Sequence, residues 1–369
     1  MIRGRAAIAL ALLCACTPAP EVLVVATREI GPVADIADID GVKTRTRGYS
    51  MFGFGRSVWL FGATQLTSPD SQGSSVRANS WSHTPDLAGR DGIALFATPT
   101  DEWGGPAELF PPTAEELAFN TAHAQGPSCE APCGTQLRLS PLAAVRNNFN
   151  GQILLFYAKL SEAADGQRTS IGSSVAAWID FDFGPVRPVL DAGSDEPTLL
   201  FHAHEPRFGQ AAVVHDDALY AYGCSDDLYH PCMLARVKLE AVFERAAWQF
   251  WTGREWSTSL TDAGVVFELG ERAEQAKPAP TALSVIHNGY VDRYLAVYGD
   301  AQSGEILLRS ALTPEGPWSS ATAIFATEPP IADAILHPEY RRGAGQFEYF
   351  TYRHEAELQL VELELAPSE

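Results

Sequence analysis

The chain has few basic residues for its length. Its 369 residues include 26 Lys and Arg against 46 Asp and Glu, which gives a formal net charge of −20. A field of that sign repels phosphate backbones and anionic lipid headgroups. We therefore expect no nucleic-acid partner, while neutral glycans, cationic ligands and proteins stay open as ligands.

The N-terminal segment has an apolar run that is too short to cross a bilayer. In "MIRGRAAIALALLCACTPAP" two arginines precede an apolar run of about nine residues, and small residues follow. The ending "LCAC" resembles a bacterial lipobox, which predicts a signal peptide over residues 1–15, acylation of Cys16 and a tether over residues 16–20. An ordinary cleaved signal is the alternative. If the lipobox is processed, we expect the chain to lie in the cell envelope, on the extracytoplasmic side of a bacterial membrane. We expect it to contact that membrane through the lipid anchor only.

The remaining cysteines lack the C-x-x-C spacing that is typical of zinc sites. They form two close pairs, Cys129 with Cys133 and Cys224 with Cys232. In an exported chain such pairs predict disulfides that close loops. His202 and His204 beside Glu205 could ligate a metal, but Arg207 opposes a cation there. We therefore predict no metal site and no cofactor.

Helical patterns are also scarce, and a β-hairpin unit repeats instead. Each copy is a short apolar strand, a polar turn, and a strand rich in aromatic and aliphatic residues. The five copies span residues 50–63, 140–158, 209–224, 283–299 and 334–353. Each copy is followed by a third strand pattern. Most copies also have a weaker fourth pattern, at residues 92–98, 187–192, 248–253 and 322–326.

This repetition predicts an all-β fold, a single five-bladed β-propeller with four-stranded blades over residues 21–369. The last repeat has three strands, and "EVLVVAT" at residues 21–27 has no partner nearby, so we expect it to close the ring. Two β-sandwiches are the alternative architecture. Outside the blades, a helix is predicted over residues 114–122, with Thr113 as N-cap, and a short helix is predicted within residues 239–250, before the fourth strand pattern of blade three.

In a propeller the inner strands line a channel, so candidate site residues lie at and just before the starts of these strands. Two acids lie there, Glu205 and Asp333, and they are the candidate pair for glycoside hydrolysis, which needs two carboxyl groups. The candidate ligand-binding residues, chosen for hydrogen bonding or for stacking, are Ser50, Asn79, Trp81, Ser140, Gln210, Ser284, Asn288, Asp300 and His337. Neither Ser50 nor Ser140 has a His and Asp in an order that predicts a nucleophilic triad.

Several stretches resemble one bacterial family. "WTGREWS" (251–257), "LSVIHN" (283–288), "RYLAVYGD" (293–300), "ILLRSALTPEGPWS" (306–319) and the His337–Pro338 pair are similar to a family of five-bladed propellers long filed as a domain of unknown function. The resemblance covers nearly the whole chain after the signal. Some members are endo-D-arabinanases, so it implies a glycoside hydrolase fold and a glycan ligand at the channel face.

Blade one departs from that family's pattern. Members commonly have a G-T-D-L-G-like segment and an F-G-D-T segment, where this chain has "GYSMFG" and "FGATQ". Ser50 and Ala63 thus stand in place of two aspartates, and neither can supply a carboxylate. We expect a glycan-binding propeller with weak or absent hydrolase activity. The alternatives are an active arabinan-cleaving hydrolase using Glu205 and Asp333, and a protein-interaction scaffold of the cell envelope.

Overall fold

A computed structural model describes residues 22–35, 41–71, 73–227, 229–270 and 282–367. Five antiparallel sheets follow one another as the blades of a single β-propeller, so the predicted fold is confirmed. Cys16 lies outside the described residues. Within them no helix is both long and apolar enough to cross a lipid bilayer.

The first three blades contain most of the irregular strands. Blade one has β3 (Val42–Gly53), β4 (Arg56–Leu66), β5 (Val76–Arg77) and β6 (Ser80–Thr84), and β5 and β6 pair one after the other with the same edge of β4. A separate two-stranded sheet joins β2 (Ala34–Asp35) to β7 (Ala94–Leu95). Blade two is β8 (Gln136–Arg146), β9 (Ile153–Glu162), β10 (Arg168–Trp178) and β11 (Phe201–His202). Blade three is β12 (Ala211–His215), β13 (Ala218–Cys224), β14 (Pro231–Lys238), β15 (Gln249–Trp251), β16 (Trp256–Ser257) and β17 (Val265–Glu268).

The N-terminal strand closes the ring, as the sequence predicts. Blade four is β18 (Leu283–Asn288), β19 (Arg293–Asp300), β20 (Glu305–Ala311) and β21 (Thr322–Ala326). Blade five is β22 (Ile331–Leu336), β23 (Phe347–His354), β24 (Glu357–Ala366) and β1 (Leu23–Pro32). Strand β1 runs antiparallel to β24 from the Leu23–Ala366 pair to the Pro32–Gln359 pair. This pairing covers the edge of β24.

The core consists of five clusters, and each lies between two neighbouring blades. Strand β9 shows how the sequence produces them. Its residues Leu155 and Tyr157 pack toward blade one, whereas Leu154 and Phe156 pack toward blade three. Because both faces of such a strand are buried, its sequence is a continuous apolar run and not an alternating one.

Two local predictions were wrong. Residues 239–250 form two short 3-10 turns, Leu239–Ala241 and Arg245–Ala247, and then enter β15. Burial of Trp248 and Phe250 in the core between blades two and three outweighs the short helical pattern. The fourth strand of blade two is β11 and not the predicted residues 187–192. In that segment Pro188 has no N–H to donate to a sheet, and the Arg187 side chain binds Glu116.

The one α-helix among the described residues is α1 (Ala114–Ala122), and it was predicted correctly. The Thr113 hydroxyl accepts a hydrogen bond from the Glu116 amide, and the Glu116 carboxylate accepts one from the Thr113 amide. This capping box fixes the first turn of α1. The helix is part of the long connection between blades one and two.

Both predicted disulfides are present, Cys129–Cys133 and Cys224–Cys232. Cys224 and Cys232 are directly paired residues of β13 and β14 and are both buried. Replacing both with alanine should lower the free energy of unfolding by about 2 kcal/mol, because the unfolded chain gains the freedom of the opened loop. Urea unfolding monitored by circular dichroism measures the change. The matched Cys129→Ala/Cys133→Ala variant should lose less, because its loop is shorter and exposed; an equal or larger loss would contradict the argument.

Candidate functional site

A cavity of about 510 Å³ lies at the centre of the ring. Residues from the inner strands of all five blades line it, namely from β3, β8, β12, β18 and the end of β22. Ala143, Ala144, Ala211 and Ala212 form part of its wall. These small side chains leave the space open, and the volume is in the range of small-molecule binding sites.

The hydroxyl of Ser50 on this wall contacts a buried histidine. Ser50 Oγ lies 2.6 Å from His337 Nδ1, and His337 Nε2 lies 2.8 Å from Thr351 Oγ1. The Trp59 ring stacks on the imidazole with ring centroids 4.5 Å apart. Burial lowers the pKa of His337 to about 3, so the ring is neutral. A nucleophilic triad needs a carboxylate behind the histidine, but here His337 contacts the Thr351 hydroxyl, and the imidazole is a weak base. This arrangement therefore orients Ser50 and does not activate it as a nucleophile.

Glu339 is the one carboxylic acid among the described residues that line the cavity. It lies on the 3-10 turn Pro338–Tyr340, directly after β22. Its Oε1 accepts a 2.7 Å hydrogen bond from Ser57 Oγ, while its buried Oε2 has no hydrogen-bond partner among the described residues. Burial raises the pKa of Glu339, and the hydrogen bond from Ser57 only partly offsets this.

A second acid lies behind the cavity wall. The side chain of Glu348 is fully buried, and its Oε1 accepts a 2.7 Å hydrogen bond from Asn288 Nδ2. Arg341 Nε lies 3.4 Å from the same oxygen, and Arg341 itself lines the cavity. Burial raises the pKa of Glu348 to about 7, although Arg341 and Asn288 oppose the shift. The charge of Arg341 therefore acts on both Glu339 and Glu348 and opposes the rise of each pKa.

Three of the nine predicted ligand-binding residues belong to this region. Ser50 and Ser284 line the cavity, and His337 lies one hydrogen bond behind it. The sequence did not reveal that Ser50 and His337 meet, because 287 residues separate them. Glu339 and Arg341 were not predicted, because propeller geometry directs attention to the starts of the inner strands, while both residues follow the end of β22. The signal for them was the His337–Pro338 pair, which directly precedes Glu339.

The other six predicted ligand-binding residues lie away from the cavity lining. Asn79 is buried, and its side chain bonds the backbone of Phe110 and of Leu139. Trp81 packs edge-on against Trp178 in the core between blades one and two. Ser140 is buried on β8.

The remaining three of these six bond neighbouring backbone groups. The Gln210 side chain accepts a hydrogen bond from the Cys224 amide, and Asp300 accepts one from the Gln302 amide in the β19–β20 turn. Asn288 is fully buried, and besides Glu348 it bonds the backbone of Gly345. These contacts hold turns and strand ends in place.

The structure does not bring Glu205 and Asp333 into one cavity. Glu205 accepts a 2.7 Å hydrogen bond from Arg245 and lines a separate cavity of about 610 Å³ with His204 and Arg207. Asp333 is buried at the starting end of the inner strand of blade five, where it accepts hydrogen bonds from the Arg47 amide (2.9 Å) and Arg353 Nε (3.0 Å). Within the described ranges, no three His, Cys, Asp or Glu side chains are grouped as a metal site.

The fold is similar to those of solved glycan-processing and other hydrolytic proteins. A Bacteroides ovatus protein described as a hydrolase is 12% identical, with 88% of this chain and 86% of that chain covered and a TM-score of 0.55. An exo-β-1,3-galactanase from Clostridium thermocellum is 11% identical, with 94% of this chain and 63% of that chain covered and a TM-score of 0.51. At these identities the likeness is one of fold alone.

No curated protein matches the sequence. A family model described as a domain of unknown function, DUF4185, matches residues 50–352 and so spans all five blades. This match confirms the family resemblance that the sequence motifs indicate. The chain belongs to the DUF4185 family.

Proposed function

We propose that this chain binds a glycan in its central cavity with weak or no hydrolysis, as a lipoprotein on the extracytoplasmic side of a bacterial membrane. Its motifs resemble those of a family with endo-D-arabinanase members, and a galactanase has a similar fold. The predicted lipobox at Cys16 supports the anchor. Labelled fatty acid should be incorporated into the chain and not into a Cys16→Ser variant; equal labelling would exclude this anchor.

The observation that carries the glycan proposal is the polar composition of the cavity. Ser50 and Ser284 present hydroxyls and Arg341 presents a guanidinium among aliphatic walls, and Glu339 is also part of the lining. Sugar hydroxyls both donate and accept hydrogen bonds, so they can satisfy each of these groups. The aliphatic walls can pack against the C–H faces of a sugar ring.

The same cavity explains why we propose binding without efficient cleavage. Hydrolysis of a glycosidic bond uses two carboxyl groups across the scissile bond. Glu339 is a single carboxyl among the described lining residues, and the motif resemblance implies that Ser50 replaces an aspartate of the related hydrolases. An active hydrolase is the second candidate, and one observation favours it. Burial raises the pKa of Glu339, which is the direction that a general acid needs.

A blocked cavity tests the proposal. A chain that begins at Thr17 keeps every described strand and lacks the anchor. It should be retained by at least one immobilised neutral glycan in a panel that includes arabinan, with little release of reducing ends. Ala144→Trp fills the cavity and should weaken that retention by about a hundredfold, because the indole occupies the ligand volume.

Ala203→Trp is the matched control, since Ala203 lines the separate cavity beside Glu205. It should bind the glycan as the parent chain does. The proposed site would be contradicted if the Ala144→Trp variant still bound the glycan, or if only the Ala203→Trp variant lost glycan binding. Rapid release of reducing ends that Glu339→Gln abolishes would establish the hydrolase instead. The absence of both retention and release across the panel would contradict a glycan function.

A further inference from the structure

Half of the exposed large apolar side chains lie on one face of the ring. We call this the exit face, and it contains the loops and turns at the end where the five inner strands finish. Among the described residues sixteen large hydrophobic side chains are exposed. Half of them lie at this end, namely Leu23, Phe52, Leu87, Phe149, Ile179, Phe183, Tyr290 and Leu312.

The strand registers place the most exposed of these side chains together. Ile153 pairs with Arg146 on one side and with Trp178 on the other, so the loops that follow Arg146 and Trp178 lie at the same end of blade two. Those loops carry Phe149, Ile179 and Phe183, which are 74%, 75% and 85% exposed. Exposed apolar side chains grouped in this way on a protein surface normally mark a site that contacts another protein or a membrane.

The chain also enters the ring at this face. Leu23 opens β1 opposite Ala366, and this end of blade five is where β22 finishes and β23 starts. The predicted acylation site, Cys16, precedes Leu23 by seven residues. At about 3.5 Å per residue the connection reaches at most about 25 Å. A lipid attached at Cys16 would therefore hold the exit face, and not the opposite one, close to the bilayer.

We propose that the exit face docks on the surface of a lipid bilayer, with Phe149, Ile179 and Phe183 inserted among the headgroups. Aromatic and aliphatic side chains on loops partition into this interfacial layer. The net charge of −20 opposes attraction to anionic lipids, so insertion and not charge must drive the contact. The cavity is lined by Phe52, Arg146 and His287, near the ends of their strands, so a docked chain places its ligand site toward the membrane.

Vesicle flotation of the chain that begins at Thr17 tests this surface without the anchor. It should float with phosphatidylcholine vesicles, and adding anionic phosphatidylglycerol should not strengthen the binding. The Phe149→Ser/Ile179→Ser/Phe183→Ser variant should partition about tenfold or more weakly, because three exposed apolar groups are lost. The matched control changes three exposed apolar residues elsewhere, Leu117→Ser/Tyr229→Ser/Val265→Ser, and should float like the parent.

Several outcomes would overturn the docking surface. These are a parent chain that does not float, a triple variant that floats equally well, or a control variant that loses binding to the same extent. If the parent chain does not bind vesicles but forms a dimer, and the exit-face substitutions dissociate that dimer, the exit face contacts a second copy of the chain. Glycan retention is measured separately on the same variants and should survive the exit-face substitutions. Loss of the proposed function and loss of docking are therefore distinguishable.

Discussion

A chain that begins at Val33 should fail to form a stable monomer, whereas the chain that begins at Thr17 should fold. The shorter chain lacks β1, so the edge of β24 is exposed from Gln359 to Ala366. Unpaired edges of this length pair with other chains. The expected loss is comparable with the whole stability of a typical domain, about 5–15 kcal/mol. Size-exclusion chromatography and thermal unfolding measure it.

Side-chain contacts add to the loss of backbone pairing. Arg28 forms an ion pair with Glu362 at 3.1 Å, and the Tyr352 hydroxyl donates a 2.7 Å hydrogen bond to Glu29. A synthetic peptide of residues 22–35 should restore the monomer in trans. The same peptide with Ala26→Pro should not, because Ala26 pairs with Glu364 on the side of β24 that bonds β1, and proline there removes a ladder hydrogen bond. If the shortened chain has the same unfolding temperature as the parent chain, ring closure does not stabilise this propeller.

The architecture could be predicted because it repeats along the sequence. Each blade buries both faces of its central strands, and this leaves apolar runs such as "ILLFYA" at residues 153–158 that recur in every copy. Ring closure was also predictable, since "EVLVVAT" had no local partner. The fourth strand of blade two was not, because Phe201 and His202 form it at a distance from the pattern at residues 187–192. Two residues do not carry a readable periodicity.

The site was less predictable than the fold. Its groups come from distant parts of the chain, and a strand pattern does not show which end of the ring holds a cavity. Ser50 and Ser284 were found because they lie on inner strands, whereas Glu339 and Arg341 follow a strand and lie on no periodic element. Glu205 and Asp333 looked equivalent in sequence. Their arginine partners and their separate positions became visible only in three dimensions.

Glu116→Gln should lower the free energy of unfolding by about 3 kcal/mol at pH 7, because it breaks a buried charge network. The Glu116 side chain is 6% exposed, and its two oxygens accept hydrogen bonds from Arg187 at 3.0 and 2.7 Å. Lys159 Nζ lies 3.1 Å from Oε1. The amide of glutamine cannot neutralise these two cations. The network joins α1 to blade two, so its loss also loosens the connection from blade one.

The effect should depend on pH in a defined direction. Burial alone would raise the pKa of Glu116, but Arg187, the Thr113 amide and Lys159 together lower it from 4.5 to about 2. A carboxyl whose pKa falls on folding stabilises the folded state above its unfolded pKa, and this contribution disappears as the pH falls through the folded pKa. The difference in unfolding free energy between parent and Glu116→Gln, measured in urea, should therefore be full at pH 7 and 5 and shrink between about pH 4.5 and pH 2. Glu115→Gln, one residue earlier and exposed, is the matched control and should change stability by less than about 0.5 kcal/mol. A Glu116→Gln difference as large at pH 2 as at pH 7 would mean that the loss comes from packing in this network and not from its charge.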